Sequence, residues 1–301
     1  MRRVIAGAAL VTVLLGACGS SNEATDRSAS GPGTASTAGT GASDSTTTSA
    51  APTTVPAVTR PAGRLDPVAL PADTDDAVAQ PLVIADAGNS MLFDAEPAIA
   101  AALGEVQFRP HTIGALGLTV LPELWRGVFG RDIPGEDPAA VVVMLGNRDL
   151  AAAAADPDAY RANLDEAVRL LSSRGARILW LGLPPLAPDP VTDAARAVVN
   201  TLFAELPGRF PGVVRYVPTD AVLGNADGTW ARTAPGGVEP IRKVEPDGRP
   251  EDHLCQAGAV RVAELIRTEL SRILPLPPAP AGWEQAPWRE DARYDDPVGA
   301  C

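Results

Sequence analysis

Short runs of Val, Ile and Leu alternate with stretches of helical periodicity, and this alternation limits what the chain can fold into. "PLVIA" from Pro81 opens the series, "VQF" at Val106 is a weaker second run, and "AAVVVML" from Ala139, "ARILWLG" from Ala176 and "GVVRYV" from Gly212 follow. Each reads as a strand buried on both faces, rich in branched aliphatics and bounded by Gly, Pro or Asp. Between them the spacing predicts helices from Ala95 to Leu103, Pro122 to Phe129, Pro157 to Ser173 and Val191 to Leu206. A last one covers Gln256 to Leu274, where Val262, Leu265, Ile266, Leu270 and Ile273 recur at helical intervals. Strands and helices in strict alternation require right-handed crossovers, hence a parallel sheet covered on both sides. The expected fold is α/β, a three-layer α/β/α sandwich of about five parallel strands.

In such a sheet, ligands collect beyond the carboxyl ends of the strands. Ser90, in "VIADAGNSMLFD", falls just past the first run, and "LGNRD" (Leu145 to Asp149) just past the third. For Ser90 two readings stand open. It is a nucleophile at the tip of a strand, or it caps the following helix, since a serine hydroxyl satisfies an orphan backbone N–H.

The flanks carry a different message. Arg2 and Arg3 precede an uncharged stretch from Val4 to Leu15 and then "LGAC", ending at Cys18. The apolar stretch is too short to span a bilayer as a helix and reads as a signal segment over residues 1–18. A small-residue site ending in cysteine resembles a bacterial lipobox, which implies lipidation at Cys18 and a protein exported and tethered by acyl chains. Residues 19–66 are nearly all Ser, Thr, Ala, Gly and Pro, a composition unable to bury enough apolar surface to offset its ordering entropy, and are expected to be a stalk. One domain is expected over residues 67–274, followed by a Pro- and Trp-containing tail, 275–301, packed on it.

With 37 acidic against 25 basic residues the formal net charge is −12, the wrong balance for gripping nucleic-acid phosphates. Two histidines, His111 and His253, and three scattered cysteines give no zinc-type spacing, so neither a metal nor any other cofactor is expected. If Cys18 is lipidated, Cys255 and Cys301 remain in a compartment that permits disulfides, and the two are expected to pair and fix the tail beside His253.

"AGNS" after the first strand, Gly117 in "ALGLTV", "MLGNRD" after the third and "PDGRPEDHLCQAGA" before the last helix together resemble, in order, the blocks of the SGNH (GDSL-type) hydrolases. The resemblance implies a flavodoxin-like sheet, with Ser90 as nucleophile and His253 as general base, because a serine hydroxyl attacks poorly until a base takes its proton. It also implies an oxyanion hole made by the N–H groups of Ser90 and Gly117, with Gly114 an alternative glycine, and by the Asn147 amide. The sequence departs from the family pattern in each block. Asn89 replaces the usual Asp; the third block reads Gly146, Asn147, Arg148, Asp149; and Pro250 stands three places before His253, where the acid belongs. Asp247 is the expected acid and Asp252 the alternative. The nucleophile elbow of the α/β-hydrolases, Gly-x-Ser-x-Gly, is absent here, since position 92 is Leu. The expectation is a membrane-tethered esterase, or acyltransferase, acting on an acyl ester of an envelope carbohydrate or lipid. Its alternative is a catalytically silent domain of the same fold that binds an envelope glycan or a partner protein.

Overall fold

A computed structural model describes residues 81–301. The expected signal segment, Cys18 and the stalk lie outside the described residues. In chain order the elements are β1 (Val83–Gly88), α1 (Ser90–Leu103), β2 (Gln107–Arg109), α2 (Pro122–Gly127), a π-helical turn (Val128–Asp132), α3 (Ile133–Gly135), β3 (Ala140–Met144), α4 (Leu150–Ala155), α5 (Pro157–Leu171) and β4 (Arg177–Leu181). They continue with α6 (Pro190–Arg209), β5 (Val214–Val217), α7 (Asp220–Leu223), β6 (Arg242–Val244), β7 (Pro250–Leu254) and α8 (Gln256–Leu270). All five expected strands pair in parallel, in the order β2-β1-β3-β4-β5. α1 packs with α8, while α4, α5 and α6 pack with one another, so helices surround the sheet as the alternation required.

The register sets the site. Ile84 lies opposite Ala140 and Gly88 opposite Met144, so β1 and β3 end level with each other at their carboxyl ends. Both strands are buried almost throughout, which is why they read as continuous apolar runs. Gly88 permits the close approach there, because a Cβ at that position would sit 2.6 Å from the Met144 carbonyl oxygen.

Two features differ from expectation. α1 begins at Ser90, five residues before Ala95, because Asn89 takes the capping role and lets the helix start at once. The chain also adds an antiparallel hairpin, β6–β7, pairing Arg242 with Leu254 and Val244 with Pro250. Its turn is "PDG", with Gly248 at φ +82, a conformation that favours glycine. After α8 the tail makes three 3₁₀ turns, burying Trp283 and packing Trp288 edge-on to Tyr294 with ring centroids 5.6 Å apart. Cys255 and Cys301 form a disulfide, Cα atoms 5.7 Å apart.

Candidate active site

The helix cap removes one of the two readings of Ser90. Asn89 is the N-cap, its side-chain oxygen accepting from the Met91 N–H at 3.2 Å, and Ser90 is the first helical residue. Capping therefore makes no claim on the Ser90 hydroxyl, which is half-buried at the carboxyl edge of the sheet. The Asn89 amide also donates to the Asn147 side-chain oxygen at 2.6 Å, tying the end of β1 to the loop after β3. An aspartate could accept from Met91 but could not donate to Asn147, so the departure at position 89 has a structural reason. Asn147 spends its oxygen on Asn89, and its NH₂ has no hydrogen-bond partner among the described residues.

Gly117 lies against the same loop. A Cβ there would fall 2.7 Å from Asp149 Oδ1 and 3.1 Å from Arg148 Cβ, whereas a Cβ on Gly114 would meet nothing. Close approach thus requires glycine at 117 and not at 114. Asp149, fully buried, fixes the chain that follows by accepting from the N–H groups of Leu118 (2.9 Å) and Thr119 (2.8 Å), the Thr119 hydroxyl (2.6 Å) and the Tyr160 hydroxyl (3.2 Å). Burial, with Asp149 beside it, pushes the Tyr160 phenol well up, so it stays a donor. Arg148 is exposed and forms no ion pair among the described residues.

The acid that meets His253 is Asp94. Its Oδ2 lies 2.8 Å from His253 Nδ1 and also accepts the Leu254 N–H at 2.8 Å. Asp94 stands one helical turn after Ser90, so both point along one face of α1. The imidazole is a third exposed, and the Asp94 hydrogen bond raises its pKa above the ordinary histidine value, outweighing the opposing effect of burial. A carboxylate at Nδ1 assigns the proton to that nitrogen and leaves Nε2 to accept. Nε2 lies 3.9 Å from Glu251 Oε1, and no hydrogen bond joins it to Ser90 Oγ among the described residues. Nucleophile–base contacts of this kind are often long before substrate tightens them.

Neither acid expected from the sequence touches His253. Asp247 sits at the exposed tip of the β6–β7 turn, where it accepts from the Arg249 N–H and pairs with its guanidinium at 2.6 Å. Pro-Asp-Gly is a turn signature, and a turn carries its aspartate away from the strands it joins. Asp252 points to the other face of β7 from His253, as neighbours in a strand must, and accepts from Ala187 N–H at 2.8 Å. It is also the counter-charge, at 3.3 Å, of Arg242, a guanidinium so buried that its pKa falls to about 10. Asp94 was missed because it lies 159 residues from His253. A signal existed all the same: in "SMLFDAEPAIAAAL" Asp94 and Glu96 are the only charges, and both are buried. His111, without a role in the sequence reading, donates its N–H to the buried Asp86 carboxylate at 2.6 Å and pairs with Glu136 at 3.2 Å. Among the described residues no three His, Cys, Asp or Glu side chains gather as metal ligands would.

Residues 87–269 match the family described as DUF459, protein of unknown function. The chain belongs to the DUF459 family. No curated protein matches the chain. Among solved structures, this DUF459 protein is similar to a GDSL-like lipase from Bacteroides thetaiotaomicron, with 15% identity over 65% of this chain and 92% of that one, at a TM-score of 0.47. It is also similar to the catalytic domain of the peptidoglycan O-acetyltransferase of Streptococcus pneumoniae (18% identity, 64% and 93% of the two chains, TM-score 0.41). A carbohydrate esterase family 3 protein from Talaromyces cellulolyticus follows at 13% identity, 64% and 97% coverage and a TM-score of 0.42.

Proposed function

We propose that this protein is a serine-dependent acyl-ester hydrolase or acyltransferase of the cell envelope, with Ser90, His253 and Asp94 as its triad. The observation that carries the reading is the Asp94–His253 hydrogen bond of 2.8 Å, made by an acid on the same helix face as Ser90. In this mechanism Ser90 Oγ attacks the ester carbonyl while His253 Nε2 takes its proton, and Asp94 holds the imidazolium that forms. The negative charge on the former carbonyl oxygen meets the N–H groups of Ser90 and Gly117 and the NH₂ of Asn147, already aimed by Asn89. Collapse expels the alcohol, protonated by His253, and leaves an acyl group on Ser90. Water, or an acceptor hydroxyl in a transferase, then attacks with His253 again as base.

Export and tethering at Cys18 follow from the N-terminal pattern and direct the enzyme to esters on an envelope glycan or lipid. The missing Ser90–His253 hydrogen bond favours the second reading, a silent binding domain of the same fold. A fluorophosphonate probe on the stalkless domain separates the two. The expected result is labelling that Ser90→Ala abolishes, together with turnover of short acyl esters; no labelling and no turnover in the folded parent would retire the enzyme.

A further inference from the structure

Pro97 lies inside α1, four residues after Phe93. A proline has no N–H, so the Phe93 carbonyl loses its helical donor, and the ring crowds that same oxygen. The tail supplies the replacement. Arg293 Nη1 donates to the Phe93 carbonyl and to Glu96 Oε2 at 3.0 Å, while its guanidinium lies 4.0 Å over the Phe93 ring. The next residue grips the helix one place along: the Tyr294 hydroxyl donates to the Asp94 backbone carbonyl. Asp291 holds Arg293 in place at 2.9 Å.

From there the tail runs toward the histidine hairpin. Lys243 on β6 pairs with Asp296 at 2.8 Å and donates to the Arg293 carbonyl at 3.3 Å, and the Val244 N–H donates to the Ala300 carbonyl at 3.0 Å. Cys301 then bonds to Cys255, two residues beyond His253. One segment therefore grips the backbone of the acid at one end and, at the other, the strand paired with that of the base and the residue two places beyond the base. We infer that residues 293–301 form a brace that sets the Asp94–His253 hydrogen bond, with Arg293 and Tyr294 as positioning residues and the disulfide as the far anchor. The inference deepens the proposed function, yet it concerns the geometry of an imidazole and can be read without any substrate.

The test is the His253 pKa by NMR titration of the domain with its disulfide intact, the His111 signal being assigned with His111→Gln. His253 is faced by Asp94 from α1, Glu251 from its own strand and Lys243 from β6. None of these charges changes in Tyr294→Phe. If the brace holds Asp94 against Nδ1, this variant and Arg293→Met lower the pKa by about half a unit or more, because the hydrogen bond is the largest cause of its rise. Removing the Arg293 cation would by itself raise that pKa, so a fall in Arg293→Met reports lost geometry. Arg293→Lys, which keeps the charge and a donor, is expected to recover most of the parent value. Should Arg293→Met fail to fold, Tyr294→Phe alone decides. A His253 pKa unchanged within about 0.2 units in folded Tyr294→Phe overturns the brace, whatever happens to turnover; a lowered pKa in a protein that labels with no probe supports the brace and removes only the hydrolase.

Discussion

The two halves of the site are held by different means. On the proposed oxyanion side, Asn89, Asn147, Gly117 and Asp149 sit where parallel strands end level, within loops fixed by short hydrogen bonds to fully buried side chains. On the histidine side, His253 stands on a small antiparallel hairpin outside the main sheet, a third exposed, and is held by one carboxylate, a disulfide and a tail. The first half is rigid because the sheet makes it so. The second is only as well placed as its long-range anchors, which makes it the half where substitutions separate chemistry from folding.

The largest effect is expected where the halves meet. Asp94→Asn should lower kcat/KM by about 10³- to 10⁴-fold, whereas Asp247→Asn should stay within about two-fold, both measured on a soluble acyl ester. Comparable losses in the two variants would return the acid to the hairpin. On the sheet side, Asn147→Ala should reduce kcat by about 10²- to 10³-fold and also lower the melting temperature, since it removes an oxyanion donor together with the oxygen that accepts from the buried Asn89 amide. On the anchored side the emphasis reverses: Cys301→Ser should cost about 2 to 4 kcal/mol of stability by removing the cross-link over a separation of 46 residues, read from denaturant midpoints with and without reductant.

A smaller loss, about 1 to 2 kcal/mol, is expected for Asp252→Asn, which leaves the buried Arg242 without its counter-charge while activity at neutral pH changes little. The smallest signal comes from pH. Because the folded pKa of His253 is raised, its pairing with Asp94 contributes stability that is fully present below the unfolded histidine value and is lost as pH rises through the folded one. The melting-temperature difference between parent and His253→Gln should therefore shrink from pH 5.5 to pH 8.5, to the extent of a single partly screened ion pair. A difference that grows with pH would show the imidazole to be held in its neutral form instead.

How far the sequence reveals this molecule follows the same division. Strands such as Ala140–Met144 are legible because burial on both faces demands an unbroken aliphatic run, and the site loops at 88–90 and 145–149 are legible because they follow such runs. β7 is illegible: "PEDHL" starts with proline, has no apolar alternation and buries only Leu254, so nothing in it announces a strand. The acid expected at Asp247 falls away for that reason, since the hairpin puts "PDG" at its tip and carries Asp247 from His253. The Cys255–Cys301 pair and the packing of the tail were expected from the sequence and are present in the structure. What the tail grips was not, because the vacancy it fills is a missing N–H at Pro97, about 200 residues away along the chain.

Carrying Ser90 and Asp94 on one helix has a mechanical consequence. Four residues of α-helix rise about 6 Å, and that separation is as stiff as the helix itself. Thermal motion therefore leaves the spacing of the two backbone positions nearly constant, and what moves most freely relative to them is the imidazole on its hairpin. The proposed triad is in effect a fork with one moving tooth, and in that reading the rate at which the tooth reaches Ser90 belongs to the hairpin, not to the sheet.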